Sequence, residues 1–463
     1  MQTKQAQFKM KKLNGDVLTP INIFLRLEGK KKFLLESSLK HNEQGRYSFI
    51  GVNPILEFIG NGDHSQVLAA DGHIIQTEIG QPLEALKKVL PRIELDLPFP
   101  FFGGAIGYVG YDAIRQYIPI GPILEDEIGM PDIHFMVYED VIVFDHLAQS
   151  IYLLSIDFSG SSIEKELEER LQNLEVQITR KETDESLSDC NIQFTPKLKK
   201  EEFIRKVEEA KQYIQSGEVQ QIVLSQRMTG EVGEDPFQFY RKLRNSNPSP
   251  YMFYVDFEPY IVLGASPESF VKTSGGTVTT NPIAGTRRRG KNDKEDEFMA
   301  KELLADEKEL SEHRMLVDLS CRELAPICLE NTVAVKDYMK LEYYRHVMHI
   351  VSEVEGTLKP DITGMDALIS CLPAGTVSGD PKPRAMQIIN ELEKTKRGVY
   401  AGAIGYVNVN GDVDFAIAIR SLVIKDQIAY LQAGAGIVAD SKPANEYKET
   451  INKAQALLSP KPY

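Results

Sequence analysis

Nowhere in the sequence do about 18 apolar residues follow one another, and the basic opening, MQTKQAQFKMKKLNGD, runs into no continuous apolar segment of the kind a secretory leader carries. These absences predict no membrane partner and a cytoplasmic location. Cysteine is scarce: Cys190, Cys321, Cys328 and Cys371 form no CxxC pair and no regular disulfide spacing. They read as reduced thiols, and they argue against a cysteine zinc site. Basic residues are in deficit, 53 Lys and Arg against 67 Asp and Glu, and the net charge of -14 opposes nonspecific attraction to nucleic acid or anionic lipid. No nucleic-acid partner is expected. The chain also lacks a Walker sequence, and GAGIV at 434–438 is missing the second half of a dinucleotide fingerprint.

What is present is the make-up of a globular protein. Hydrophobic residues are 42% and charged residues 26% of a 463-residue chain, which excludes collagen-like, disulfide-rich and membrane classes and leaves function to particular sites. KKFLLES, RYSFIGVNPILEF and HSQVLAADGHIIQTEIG alternate short apolar runs with turn residues, and residues 131–157, PDIHFMVYEDVIVFDHLAQSIYLLSID, predict two or three strands of an antiparallel meander. An internal echo is notable. GGAIGYVGYD at 103–112 returns as AGAIGYVNVNGD at 401–412, each followed by hairpin-like strands, as two related halves or a recurring local hairpin would give.

Between the halves, Ser161 and Glu164 suggest a capping box for the helix IEKELEERLQNL, and the polar stretch that follows, over 181–199, is the best linker candidate. EEFIRKVEEAKQYIQSG predicts an amphipathic helix and VQQIVLSQRM a strand; further helices are predicted over 293–319, 363–371, 382–393 and 444–458. The fold class is α+β, with large antiparallel sheets and helices outside them.

Several of these elements could carry chemistry. Glu309 and Glu312 share the spacing of Glu446 and Glu449, three apart on a helix, which turns both carboxylates of each pair to one side. Two such pairs could converge on a hard divalent cation, although solvated surface helices often show the same spacing. A di-iron site would require ExxH, and no Glu here has a histidine three residues on. The loops NPIAGTRRRGKNDKED and LPAGTVSGDPKPRAM combine glycine with basic residues and could cradle a small carboxylate. His349 opens an apolar strand, and Arg420 ends FAIAIR, where a guanidinium needs an anion or water.

Taken together, NPSPYM, SPESF, PIAGTRRRG, SEHRMLVDL, HVMHIVSEVEG, LPAGTVSG, RAMQIINELE, YAGAIGY, AIAIRS and QAGAGIVADSKPANEYKETINKA resemble the chorismate-utilising enzymes. The likeness runs from about Leu34 to Leu458 and is most like the synthase (component I) subunits of anthranilate synthases. It implies an α+β sandwich of large antiparallel sheets packed orthogonally. It also implies an N-terminal regulatory-type region over 1–180 interleaved with the sandwich, and a catalytic chorismate-binding region over 200–463.

The resemblance implies roles for single residues as well. Glu309, Glu312, Glu446 and Glu449 would hold Mg²⁺ against the ring carboxylate of chorismate. Glu268 would be the general acid for the departing C4 hydroxyl, with His349 and Thr376 completing the catalytic group. Tyr400 and Arg420 would bind the enolpyruvyl carboxylate, with Gly434, Gly436 and Lys453 also in the pocket. Gln221 and Ala284 are substrate-binding positions that separate members: water-adding relatives carry lysine where this chain has Gln221, and many aminodeoxychorismate synthases carry lysine where it has Ala284.

The implied reaction joins chorismate and ammonia into 2-amino-2-deoxyisochorismate and then eliminates pyruvate to leave anthranilate, a lyase step of tryptophan biosynthesis. LLESS at 34–38 and NPSPYM match tryptophan-binding elements, implying feedback inhibition through Ser37, Pro250 and Met252. With no amidotransferase triad recognisable, ammonia is expected from a separate glutamine amidotransferase subunit, in a hetero-oligomer. Two alternatives stay open here: the folate-branch aminodeoxychorismate synthase component I, and a noncatalytic tryptophan-sensing subunit. The chain departs from the family pattern in two places. It reads DLSCRELAPI at 318–327 where DLxRNDxGRV is usual, and SGDPK where SGAPK is usual, which sets Asp380 beside a pocket meant for an anion.

Overall fold

The computed structural model describes residues 7–37, 45–180, 192–233, 235–344 and 347–458. Most of the expected linker, 181–191, lies outside the described residues, as do Cys190 and Ser38; the remaining cysteines are free thiols. The chain forms two antiparallel sheets of twelve strands each with helices on their outer faces, the α+β architecture expected. No helix among the described residues is long and apolar enough to cross a membrane.

The first sheet runs through Gln7–Asn14, Ser150–Asp157, Asp140–Asp145, Tyr47–Gly51 and Phe33–Glu36, and then through Tyr251–Asp256, Ile261–Ser266, Ser421–Lys425, Ile428–Ile437 and Gln221–Glu231. Thr195–Pro196 and Gly379–Asp380 flank its last strand. Read inward from both ends, the two groups of five have the same connectivity in opposite order. The second sheet repeats the pattern about its centre. There Ala403–Asn408 pairs with Gly104–Val109, the two copies of the glycine-rich echo, with Gly405 opposite Gly107. A Cβ on Gly405 would stand 2.1 Å from the carbonyl oxygen of Asp414 on the other neighbouring strand, Val413–Ile417, so that close approach requires glycine. The glycine-rich echo is therefore the axis about which the two halves of the chain are arranged. Strands from both halves contribute to each sheet.

The predicted meander crosses from one sheet to the other. Ile133–Tyr138 lies in the second, Asp140–Asp145 and Ser150–Asp157 in the first, and the chain changes layer at Glu139. Between the layers Phe33, Val143 and Val262 meet Tyr108, Met136 and Ile404, all buried; full burial of one such side chain contributes about 2 kcal/mol. Outside the first sheet lie Pro20–Arg26, Glu164–Thr179, Pro236–Ser246 and Pro443–Leu458, and outside the second Pro82–Val89, Glu307–Leu324 and Gly364–Cys371.

Two local expectations need correction. The helix predicted over 293–319 is two helices, Asp293–Ala305 and Glu307–Leu324, because Asp306 leaves the helical region and caps the second one through Lys308 N and Glu309 N. The capping box placed at Ser161 and Glu164 does not form. Asp157 accepts from the Ser162 amide and holds that stretch as a turn, and the helix begins at Glu164 with Glu166 accepting from the Ile163 amide.

Candidate active site

Two helices from different layers come near enough for the charge of Glu449 on one to act on Glu312 of the other. Glu307–Leu324 packs on Ile283–Arg288 and Val347–Thr357 of the second sheet, and Pro443–Leu458 packs on Ile428–Ile437 of the first. Glu309 and Glu312 come from the former and Glu446 and Glu449 from the latter. Gln221, on the strand Gln221–Glu231 of the first sheet, joins the two sides: its Nε2 donates to Glu312 Oε1 over 3.1 Å. Burial raises the Glu312 carboxyl above its usual range; the Gln221 amide opposes this, and the charges of Glu309 and Glu449 add to it. Burial likewise raises Glu446, with Ser441 opposing and Glu449 adding.

Glu449 therefore acts on Glu312 across the gap. Together the four side chains offer hard oxygen donors of a kind that suits Mg²⁺. The carboxylates stand apart rather than in a single shell: among the described residues no three ligating side chains are gathered. Arg287 holds Glu309 at 3.3 Å and Lys453 holds Glu449 at 2.8 Å.

Glu268 follows the strand Ile261–Ser266 and is buried, with 8% of its surface exposed. Burial lifts its carboxyl to about 7, against the lowering effects of Thr376, whose hydroxyl donates to Oε1 over 3.0 Å, and of the Lys453 charge. A carboxyl in this state holds its proton near neutrality and can give it up. His349 is the counterpart. Burial, with the Gly285 carbonyl opposing and the Arg420 charge adding, pushes its imidazole down to about 4. Its Nδ1 lies 3.2 Å from the Gly285 carbonyl, which can only accept, so Nδ1 carries the proton and Nε2 is left basic. Thr286, paired with His349 across the strands, brings its hydroxyl to within 3.0 Å of the same Nδ1.

The opposite wall is glycine-rich for a steric reason. A Cβ on Gly434 would lie 2.6 Å from the Tyr400 hydroxyl, and one on Gly436 2.8 Å from Gln221 Nε2. Lys453 reaches this wall and donates to the Gly434 carbonyl over 2.9 Å. Burial pushes the Tyr400 phenol up to about 12, with the Arg397 and Arg420 cations opposing. Arg420 sits at φ +50°, a conformation that costs an L residue roughly 1–2 kcal/mol. Its charge acts on both His349 and Tyr400. Ala284 lies on the strand beside His349, opposite Ile350.

Contacts and charges link these residues in turn: Gln221 to Glu312, Glu268 to Thr376 and Lys453, and Arg420 to His349 and Tyr400. Ser37, Pro250 and Met252 form a separate group. Ser37 follows Glu36, which pairs with Met252, at the seam where the two halves of the first sheet join. That seam is three strands from Ile428–Ile437, roughly 14 Å at the usual spacing.

The two departures from the family pattern meet. SCREL continues the helix Glu307–Leu324 without a break. Arg322 Nη2 donates to Asp380 Oδ1 over 3.3 Å, and Lys382 Nζ lies 2.5 Å from Glu323 Oε1. Asp380 therefore faces a cation of its own, beside Gln221 in the sheet.

Sequence reasoning missed the buried Arg397. It donates to both oxygens of Glu393 and to the carbonyls of Val377 and Val223, and it lies over the rings of Tyr111 and Tyr400. As one of three basic residues in EKTKRGVY it carries no periodic signal, so only the tertiary structure reveals it.

Comparison with known proteins adds to this geometry. Residues 30–459 match the family described as chorismate binding enzyme. The chain is 45% identical over 457 residues to anthranilate synthase component 1 of Lactococcus lactis, covering 97% of this chain and 99% of that protein. It is 46% identical over 459 residues to the protein of the same name from Acetivibrio thermocellus, covering 96% and 93%. The crystal structure of anthranilate synthase component I from Streptococcus pneumoniae superposes with a TM-score of 0.84 at 44% identity, over 96% of this chain and 98% of that one. The menaquinone-specific isochorismate synthase of Escherichia coli shares the fold, with a TM-score of 0.74 at 19% identity over 98% and 96% of the two chains.

Proposed function

The chain belongs to the chorismate-binding enzyme family, and on that premise we propose that it is the synthase subunit, component I, of an anthranilate synthase. It would convert chorismate and ammonia into anthranilate and pyruvate by way of 2-amino-2-deoxyisochorismate. The observation that carries this reading is that two groups, one on either side of Tyr344, are held in complementary protonation states. Glu268 is a carboxyl held near 7 and bonded to Thr376, and His349 is an imidazole held neutral with Nε2 basic.

In this reading Arg420 and Tyr400 bind the enolpyruvyl carboxylate, and Lys453 lends positive charge to the pocket. Glu268 gives its proton to the C4 hydroxyl oxygen as the C4–O bond breaks and ammonia adds at C2. His349 Nε2 then serves proton transfer in the loss of pyruvate. Gln221 leaves the C2 side without a lysine base; ammonia, already nucleophilic, needs none. Glu309, Glu312, Glu446 and Glu449 are the residues that would hold Mg²⁺, which when bound offsets the charge of the ring carboxylate.

The names of the relatives imply a second component, and we assign it the supply of ammonia by glutamine hydrolysis. Ser37, Pro250 and Met252 are proposed to bind tryptophan as a feedback inhibitor. The test is one assay with chorismate, Mg²⁺ and ammonium. Anthranilate fluorescence with pyruvate release is expected, whereas accumulation of 4-amino-4-deoxychorismate, or chorismate left intact, would overturn the assignment.

A further inference from the structure

Beside Glu268 the fold leaves a cavity of about 40 Å³, room for roughly one to three waters and far below the ~300 Å³ at which small-molecule sites begin. Its walls include Glu268, Thr376, Thr280, Ser320 and Glu323. Thr280 is 6% exposed and its hydroxyl has no protein partner among the described residues. Leaving such a group dry costs about 1–3 kcal/mol, so a polar cavity of this size takes water. Glu323, whose Oε1 is in ionic contact with Lys382 at 2.5 Å, is the other carboxyl on the wall of this cavity. Next to Glu323 in the chain, Arg322 leads to the surface, with 59% of its side chain exposed.

We propose that Thr280 and Glu323, through water in this cavity, form a relay that returns a proton from solvent to Glu268 after each turnover. The relay rests on the role proposed above for Glu268. The carboxyl of Glu268 loses its proton to the C4 oxygen, which departs as water, and becomes a carboxylate. A cavity water then gives a proton to Glu268 and takes one, by way of the Thr280 hydroxyl, from the carboxyl of Glu323. Glu323 regains its proton from bulk solvent, so no other reactant is consumed. Burial keeps Glu323 inclined to hold a proton, with Lys382 and Arg322 opposing and Asp380 reinforcing; the Cys371 thiol is also within its field. The groups facing Glu268 are Thr376, Lys453 and Tyr344.

The test uses the full chain with chorismate, Mg²⁺ and saturating ammonium, and measures kcat, KM and the solvent deuterium isotope effect. Thr280→Val and Glu323→Gln are each expected to lower kcat about tenfold. They should raise the isotope effect and leave KM for chorismate within about twofold of the parent. Thr280→Ser, which keeps the hydroxyl, should restore the parent values and so separate relay from packing. Glu268→Gln is run in parallel. If it abolishes turnover while Thr280→Val and Glu323→Gln keep the parent kcat and isotope effect, the relay is wrong and the acid stands. If Glu268→Gln itself turns over normally, the acid reading fails. A raised KM with unchanged kcat in Thr280→Val would assign the cavity to substrate and overturn the relay.

Discussion

Arg322 and Asp380, each a departure from the family's usual residue, lie 3.3 Å apart and compensate one another. Asp380 is buried beside Gln221, at the edge of the pocket proposed for chorismate, and Arg322 is the cation that faces it. Removing the arginine should expose the pocket to an uncompensated carboxylate. Arg322→Ala is expected to raise KM for chorismate about fivefold, because roughly 1 kcal/mol of repulsion is no longer offset. Adding Asp380→Ala should bring KM back toward the parent value. Steady-state kinetics on the two single variants and the double variant measure the coupling; additive effects would show that the pair does not act as one.

Activity should follow the two displaced ionisations. His349 is deprotonated above about 4 and Glu268 protonated below about 7. The kcat profile is therefore expected to be flat between these limits and to fall tenfold per pH unit above the upper one. Glu268→Gln should lower kcat far more than it weakens chorismate binding, and the upper limb should vanish from what activity remains. Equal losses in kcat and in binding would argue against the acid role.

The same carboxyl should mark stability. Its folded pKa is raised, so the folded protein binds more protons than the unfolded chain between about 4.5 and 7. Stability from this group is full below that window and is lost as pH rises through it, on the order of 3 kcal/mol in all. Glu268→Gln should accordingly match the parent in urea unfolding at pH 4 and exceed it at pH 8. A difference that does not change with pH would mean that Glu268 is ionised in the native protein.

The fold was legible where the sequence repeats itself or carries a period. The two GAIGYV copies announced related halves, and their direct pairing, Gly405 against Gly107, makes that relation physical. The helices bearing Glu309, Glu312, Glu446 and Glu449 were legible from their apolar stripes. Their meeting was not, because it depends on two sheets closing from opposite directions on Gln221. Arg397, Thr280 and the Arg322–Asp380 pair left no local trace either. Each acts through partners that lie more than 50 residues away in the chain or bury what looks like an ordinary surface residue.

Metal binding can be read without turnover. Glu312 and Glu446 are held above their usual range partly by neighbouring carboxylates, a repulsion that a divalent cation would relieve. Mg²⁺ is expected to raise the melting temperature of the parent. In Glu309→Gln and Glu449→Gln the concentration needed for half of that rise should increase at least about tenfold, since each variant loses one charged ligand. A parent whose melting temperature ignores Mg²⁺ would remove the metal from this site.

The buried Arg397–Glu393 pair should set both the stability of the site and its shape. Arg397 is 2% exposed and Glu393 6%, so neither charge has water to fall back on. Glu393 answers the guanidinium with both oxygens while also accepting from the amide and hydroxyl of Ser225. Replacing it with glutamine leaves a buried cation without its counter-charge, a change that costs about 3–5 kcal/mol. Urea unfolding of Glu393→Gln should show a loss of that order. Because Arg397 also lies over the Tyr400 ring and fixes the Val377 carbonyl next to Thr376, the native fraction of this variant should bind chorismate more weakly as well. Tyr400→Phe, which keeps the ring but not the hydroxyl, should weaken binding without the stability loss. If Glu393→Gln proved as stable as the parent, the pair would be exchanging charge with solvent, which its burial forbids.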